Sequence, residues 1–132
     1  MDHGSAILAL LGRVLLASIF VYSGFGKITA FPGTVGFIAS AGLPMPQVLA
    51  VGSIMVEFVG GLALLIGFRA RWAALAFVVF LIVITPVFHN FWSAPPAEAM
   101  SQQINFIKNI AIIGGMLMVM AFGPGRYSVD KD

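Results

Sequence analysis

"INFIKNIAIIGGMLMVMAF", residues 104 to 122, is long enough to cross the hydrocarbon core of a bilayer, which takes roughly 20 residues in a helix. Three of its residues do not belong in lipid. Asn105, Lys108 and Asn109 recur at helical spacing, and at about 100° per residue they share with Ile112 an arc of about 100°. Such a helix reads as one wall of a bundle, its ammonium and carboxamides turned inward toward an anion on a neighbour.

Three further stretches meet the same length criterion: Ile7 to Ile28, Pro46 to Gly67 and Trp72 to Phe91. Backbone groups at membrane depth must bond within their own segment, so helices are the expected form. The composition agrees. Of 132 residues, 60% are hydrophobic and 9% charged, with a mean hydropathy of +1.02, whereas soluble domains carry about 25% charged residues. The first stretch is too long for a signal-peptide core and reads as retained. No repeat, low-complexity tract or domain boundary interrupts the chain, which reads as a single domain over residues 1–132.

Several function classes drop out. A net charge of +2 without a basic stripe does not suit nucleic acid. The absence of cysteine excludes disulfides, thiol redox chemistry and thiolate-bound clusters, so electron transfer would need another carrier. Two histidines, one at position 3, do not make a bis-His haem, and Met116, Met118 and Met120 fall on different faces. No metal site and no intrinsic cofactor are expected.

An even number of spans puts both termini on the side of the tight turn "GFRARW" (67–72). That side carries Arg69, Arg71, Arg126 and Lys131, and the other carries Lys27 and Glu98, so the basic excess assigns the termini to the cytoplasm. The expected fold is therefore all-α, an integral membrane antiparallel four-helix bundle with both termini cytoplasmic. The connection from Thr29 to Pro46 is apolar and broken by Pro and Gly. A short helix around Thr34 to Ala41 would lie in the interface or fold over the bundle mouth. "SAPPAEAMSQQ" (93–103) reads as a polar loop.

Charges within a span cost roughly 2.5–3.5 kcal/mol at mid-bilayer, so they normally face the bundle interior and find partners. The candidates are Arg13, Lys27, Glu57, His89 and Lys108, with Asn105 and Asn109 beside them. Glu57 falls near mid-membrane, with Lys108 about 6 Å outward and Arg13 about 6 Å inward; either could reach the carboxylate. Lys27 and His89 fall near the outer rim. Gly24, Gly60, Gly61, Gly114 and Gly115 would let helices approach closely. Two or three cations oppose one Glu57, so one cation lacks a protein anion. A quinone carbonyl, semiquinone, carboxylate or other oxyanion in a ligand would suit it. The plainer readings are that Arg13 and Lys27 snorkel, that Glu57 and Lys108 fix helix register, that the asparagines bond across helices, and that His89 is an interface residue.

An arginine early in the first helix, "SGFGK" (23–27), "EFVGGLALLIG" (57–67), His89, "NFIKNIAIIGG" (105–115) and "FGPGRYSVD" (122–130) together resemble the DoxX family of small four-helix membrane proteins. The resemblance covers nearly the whole chain and implies a bundle in the bacterial inner membrane. Family members are associated with membrane oxidoreductases, including a subunit of a thiosulfate:quinone oxidoreductase, and with oxidative-stress complexes; distant relatives act as chaperones or cargo adaptors. The family's recurrent positions match Arg13, Ser23, Gly24, Lys27, Glu57, Gly60, Gly61, His89, Lys108, Asn109, Gly114 and Gly115, and no catalytic assignment comes with them.

The leading functional expectation is a redox-associated membrane subunit that binds a quinone-like or other polar-headed amphiphile, with electrons carried by the bound quinone or by the cofactor of a soluble or membrane partner. The alternative is a non-enzymatic adaptor, chaperone or assembly subunit. A carrier or channel is the third reading, and would need a homo-oligomer because four helices enclose little volume. Orientation is directly testable. A fluorescent protein that matures only in the cytoplasm should glow when fused to either terminus, and should stay dark when inserted after Ser93.

Overall fold

Each span begins and ends where the sequence supplies a residue that starts or stops a helix. In the computed structural model, which describes residues 2–130, α1 (His3–Thr29) is capped by Asp2, whose carboxylate accepts from the Ser5 N–H at 2.7 Å. That bond holds the Asp2 carboxyl below its ordinary value. Met1, Lys131 and Asp132 lie outside the described residues, Lys131 being one of the basic residues counted above. The short α2 (Phe31–Ser40) starts with a proline in its first turn, and α3 (Pro46–Ile54) starts on Pro46 itself.

The second span is not a uniform helix. A π-helical turn, Met55–Val59, separates α3 from α4 (Gly60–Ile66). Gly67 then stops the helix in the left-handed conformation (φ 78°). The third span is α5 (Ala70–Phe88), with Pro86 inside its last turn, followed by a 3₁₀ turn at Phe91–Ser93. The fourth, α6 (Pro96–Phe122), begins well before residue 104. The "PPAEAMSQQ" stretch, expected as loop, forms its first two turns. Pro96 opens the helix, Glu98 complements the dipole, and Ala, Met and Gln are good helix formers.

Four of these segments are long and apolar enough to cross a membrane: His3–Thr29, Pro46–Ile66, Ala70–Ser93 and Pro96–Phe122. The expected all-α, four-span architecture is thus the observed one. Going round the bundle, α1 packs on the α3–α4 segment, which packs on α5, and α5 pairs extensively with α6. The core is set by Phe20 stacked on Phe77 (4.2 Å between centroids), with Ala17, Leu64, Ala74, Leu81 and Met116 around them.

Small residues allow this approach. A methyl group at Gly24 would sit 2.8 Å from both the Cβ and the backbone nitrogen of Phe58, and one at Gly61 would meet Val21 at 3.0 Å. Gly60 lies against Phe77, and Gly115 against Leu16. Gly114, expected among the packing glycines, meets nothing within 4 Å. Its neighbour does the work, because adjacent residues on a helix point about 100° apart.

Substituting Gly24 by Ala should destabilise the bundle by about 1–3 kcal/mol, since the clash is with backbone and cannot relax by a rotamer change. Gly114→Ala should stay within about 0.5 kcal/mol of wild type. Thermal unfolding of the purified protein in mild detergent compares the two.

Candidate functional site

The α1 and α3–α4 segments meet at the π-helical turn, and the turn's central residue is Glu57. Its carboxylate accepts from the Lys27 ammonium. Glu57 is 5% exposed, whereas the Lys27 side chain keeps 29% of its surface open. The geometry follows from the glycines. Gly24 brings α1 against Phe58, so Lys27, one turn farther from the termini, folds back along α1 to reach Glu57. π-helical turns occur mostly as single-turn bulges, often at functional sites.

This arrangement corrects the expected pairing, in which Lys108 or Arg13 met Glu57. Arg13 is buried but points the other way. Its guanidinium donates to the carbonyls of Leu65 (3.3 Å), Pro124 and Tyr127 (2.7 Å). It binds carbonyls at the end of α4 and in the C-terminal segment. Lys108 is exposed on α6 rather than interior, and the only ion pair among the described residues is Lys27–Glu57. Reading the three polar residues of α6 as one inward arc fails because α6 buries very little. Only Asn109 and Met116 on it are buried.

Asn109 does face the interior, where its amide donates to Thr85 Oγ1 at 3.2 Å. Thr85, 1% exposed, was not singled out in the sequence, although a hydroxyl just before Pro86 in an apolar run is a usable signal. His89, at the end of α5, is hydrogen-bonded through Nδ1 to Gln102 Oε1 at 2.8 Å. Asn105 is half-buried one turn nearer the mouth. The polar groups thus form separate pairs rather than one network: Lys27–Glu57, Asn109–Thr85 and His89–Gln102. All lie in the half of the bundle away from the termini, the half that α2 partly covers by stacking Phe37 on Phe88 (5.3 Å) and burying Ile38. No group of three potential metal ligands occurs among the described residues.

Residues 8–90, which carry Arg13, Lys27, Glu57 and His89, match the DoxX family profile. The chain belongs to the DoxX family. It is 33% identical to inner membrane protein YphA of Escherichia coli, over 98% of this chain and 94% of that protein, and 37% identical to inner membrane protein YqjF of the same organism, over 92% and 88%. A partial likeness, 34% identity over half of this chain and 22% of the other, links it to a Surfeit locus protein 4 homolog of Schizosaccharomyces pombe. No solved structure matches. Family membership, the relatives' location and the four apolar spans place this DoxX protein in the inner membrane as a multi-pass protein in contact with the lipid bilayer.

The ion pair makes an asymmetric prediction. Lys27→Met strands a buried carboxylate, whereas Glu57→Gln leaves an ammonium that can swing to the interface. Lys27→Met should therefore cost more, about 2 kcal/mol against about 1 kcal/mol, below the roughly 3–5 kcal/mol of a fully buried pair because Lys27 is partly open. The double variant should recover part of the loss. Unfolding midpoints of the three variants would expose the opposite order.

Proposed function

We propose that this DoxX protein is a redox-associated membrane subunit that holds a quinone-like or other polar-headed amphiphile beside the Lys27–Glu57 pair. The observation that carries the reading is the pair itself. An ion pair within a membrane span is costly, and such groups usually mark ligand, ion or proton paths rather than stability alone. Here it sits on a π-helical turn, open only on the Lys27 side, with hydroxyl and carboxamide groups from α5 and α6 in the same half of the bundle. Lys27 would hydrogen-bond and polarise a head-group oxygen, and Glu57 would orient the ammonium or take a proton from it. The chain's own residues supply no electron carrier, so a bound quinone would carry the redox chemistry with a partner's cofactor.

Quinone extracted from protein purified gently out of its membrane tests this directly. The expected result is one quinone per chain or per oligomer, lost in the Lys27→Met/Glu57→Met double variant, which removes both charges and should still unfold in one cooperative transition. A wild type that carries only bulk lipid, or a double variant with undiminished quinone, would sink the proposal. In the non-enzymatic alternative, deleting Thr34 to Ala41 would remove co-purifying proteins instead.

A further inference from the structure

Two sides of the bundle mouth are covered. Over α1, α3 and α5 lies α2, through Ile38 and the Phe37–Phe88 stack. Between α5 and α6, Phe91, Trp92 and Phe106 form an edge-to-face cluster with centroids 5.2 to 5.8 Å apart. Among the described residues no ring cluster bridges α1 and α6, and the two helices touch only slightly. These helices meet near the termini, where Leu16 packs on Gly115 and Arg13 holds the C-terminal segment.

Helical arithmetic shows what happens farther out. Lys108 lies within about 20° of the azimuth of Gly115 and about 10 Å farther from the termini. Gly115 is packed against α1, yet Lys108 is exposed. The two helices have therefore parted over those two turns. On the facing side of α1, Ser23 and Lys27 lie within about 20° of the azimuth of Leu16. The slot so formed has Lys27, tied to Glu57, on one wall and Lys108 on the other.

Charge identifies what belongs in it. Lys27 and Glu57 neutralise each other, Arg13 is spent on backbone carbonyls, and no carboxylate among the described residues pairs with Lys108. Lys108 also sits about 9 Å below Gln102, the level of the His89 bond at the mouth. A phospholipid head, with its hydrated substituent, stays at the bilayer surface above that level. A carboxylate on one acyl chain is compact enough to come down to it, and one chain suits a slot between two parting helices.

We propose that the slot between α1 and α6 admits from the surrounding lipid a single-chain amphiphile with a carboxylate head, and that Lys108 receives that head. The proposal rests on the reading above only in that the bundle holds polar-headed amphiphiles, and it adds to the ligand beside Lys27–Glu57 an acid held at Lys108.

The test is native mass spectrometry of the full chain in mild detergent, offered equimolar isotope-labelled oleate, ubiquinone and phosphatidylglycerol. Wild type and Lys108→Arg should retain one oleate, and Lys108→Gln should lose it at least ten-fold. Lys108 is exposed, so Lys108→Gln should unfold at the wild-type temperature, and a circular-dichroism melt checks that. Equal oleate retention in Lys108→Gln overturns the proposal. Lys108-dependent retention of phosphatidylglycerol overturns it in favour of a surface lipid. Retention of ubiquinone without oleate overturns the acid assignment but supports the function proposed above, and retention of none of the three overturns both.

Discussion

Hydrocarbon offers no hydrogen bonds, so a polar group below the bilayer surface is costly until it finds a partner. This constraint accounts for most of what distinguishes this chain from a plain apolar bundle. Lys27 folds back toward Glu57, Asn109 reaches Thr85, and His89 reaches Gln102, each pairing a group from one span with a group from another. Nonpolar contact between helices gains little in lipid, because the acyl chains are as apolar as the side chains. Close packing and these few polar pairs carry the specificity instead.

Close packing and polar pairing are linked at one place. Gly24 lets α1 approach Phe58 so nearly that no side chain fits between them. Only with α1 that close can Lys27 reach the carboxylate on the π-helical turn. At the other end of the bundle Arg13 plays the complementary part. Its three carbonyl acceptors join α1 to the end of α4 and to the C-terminal segment, where Val129 and Asp130 donate to the carbonyls of Ile66 and Gly67. The termini end is thereby fastened across the bundle, and the mouth end is held by fewer bonds.

That there are four spans was legible in the sequence from length and hydropathy, though the start of α6 at Pro96 was not, and the family was legible because its motifs keep their order along the chain. The partners were less legible. A helical wheel gives azimuth but not which neighbour stands there, so Glu57 could be matched with Lys108 or Arg13 on depth alone. The wheel also assumes 3.6 residues per turn throughout, and the π-helical turn at Met55–Val59 breaks that assumption at the residue of greatest interest. For Lys108 and Gly114 the difficulty was different. Both sit on a helix with so little buried surface that an amphipathic arc no longer tells inside from outside. Thr85 was passed over because a lone hydroxyl in an apolar run carries no charge to flag it.

The loose contact between α6 and α1 then becomes a property of the fold rather than a defect of it. An antiparallel bundle in water closes this seam to bury apolar surface. In lipid the seam can stay open at little cost, since an acyl chain fills it as well as a helix would. What cannot be left to lipid tails is a charge, and Lys108 stands where the seam opens. A cation that finds no anion on its own chain must snorkel to the surface or draw an anion down to it. In the same half of the bundle, the paired Lys27 and Glu57 contribute no net charge to compete for that anion.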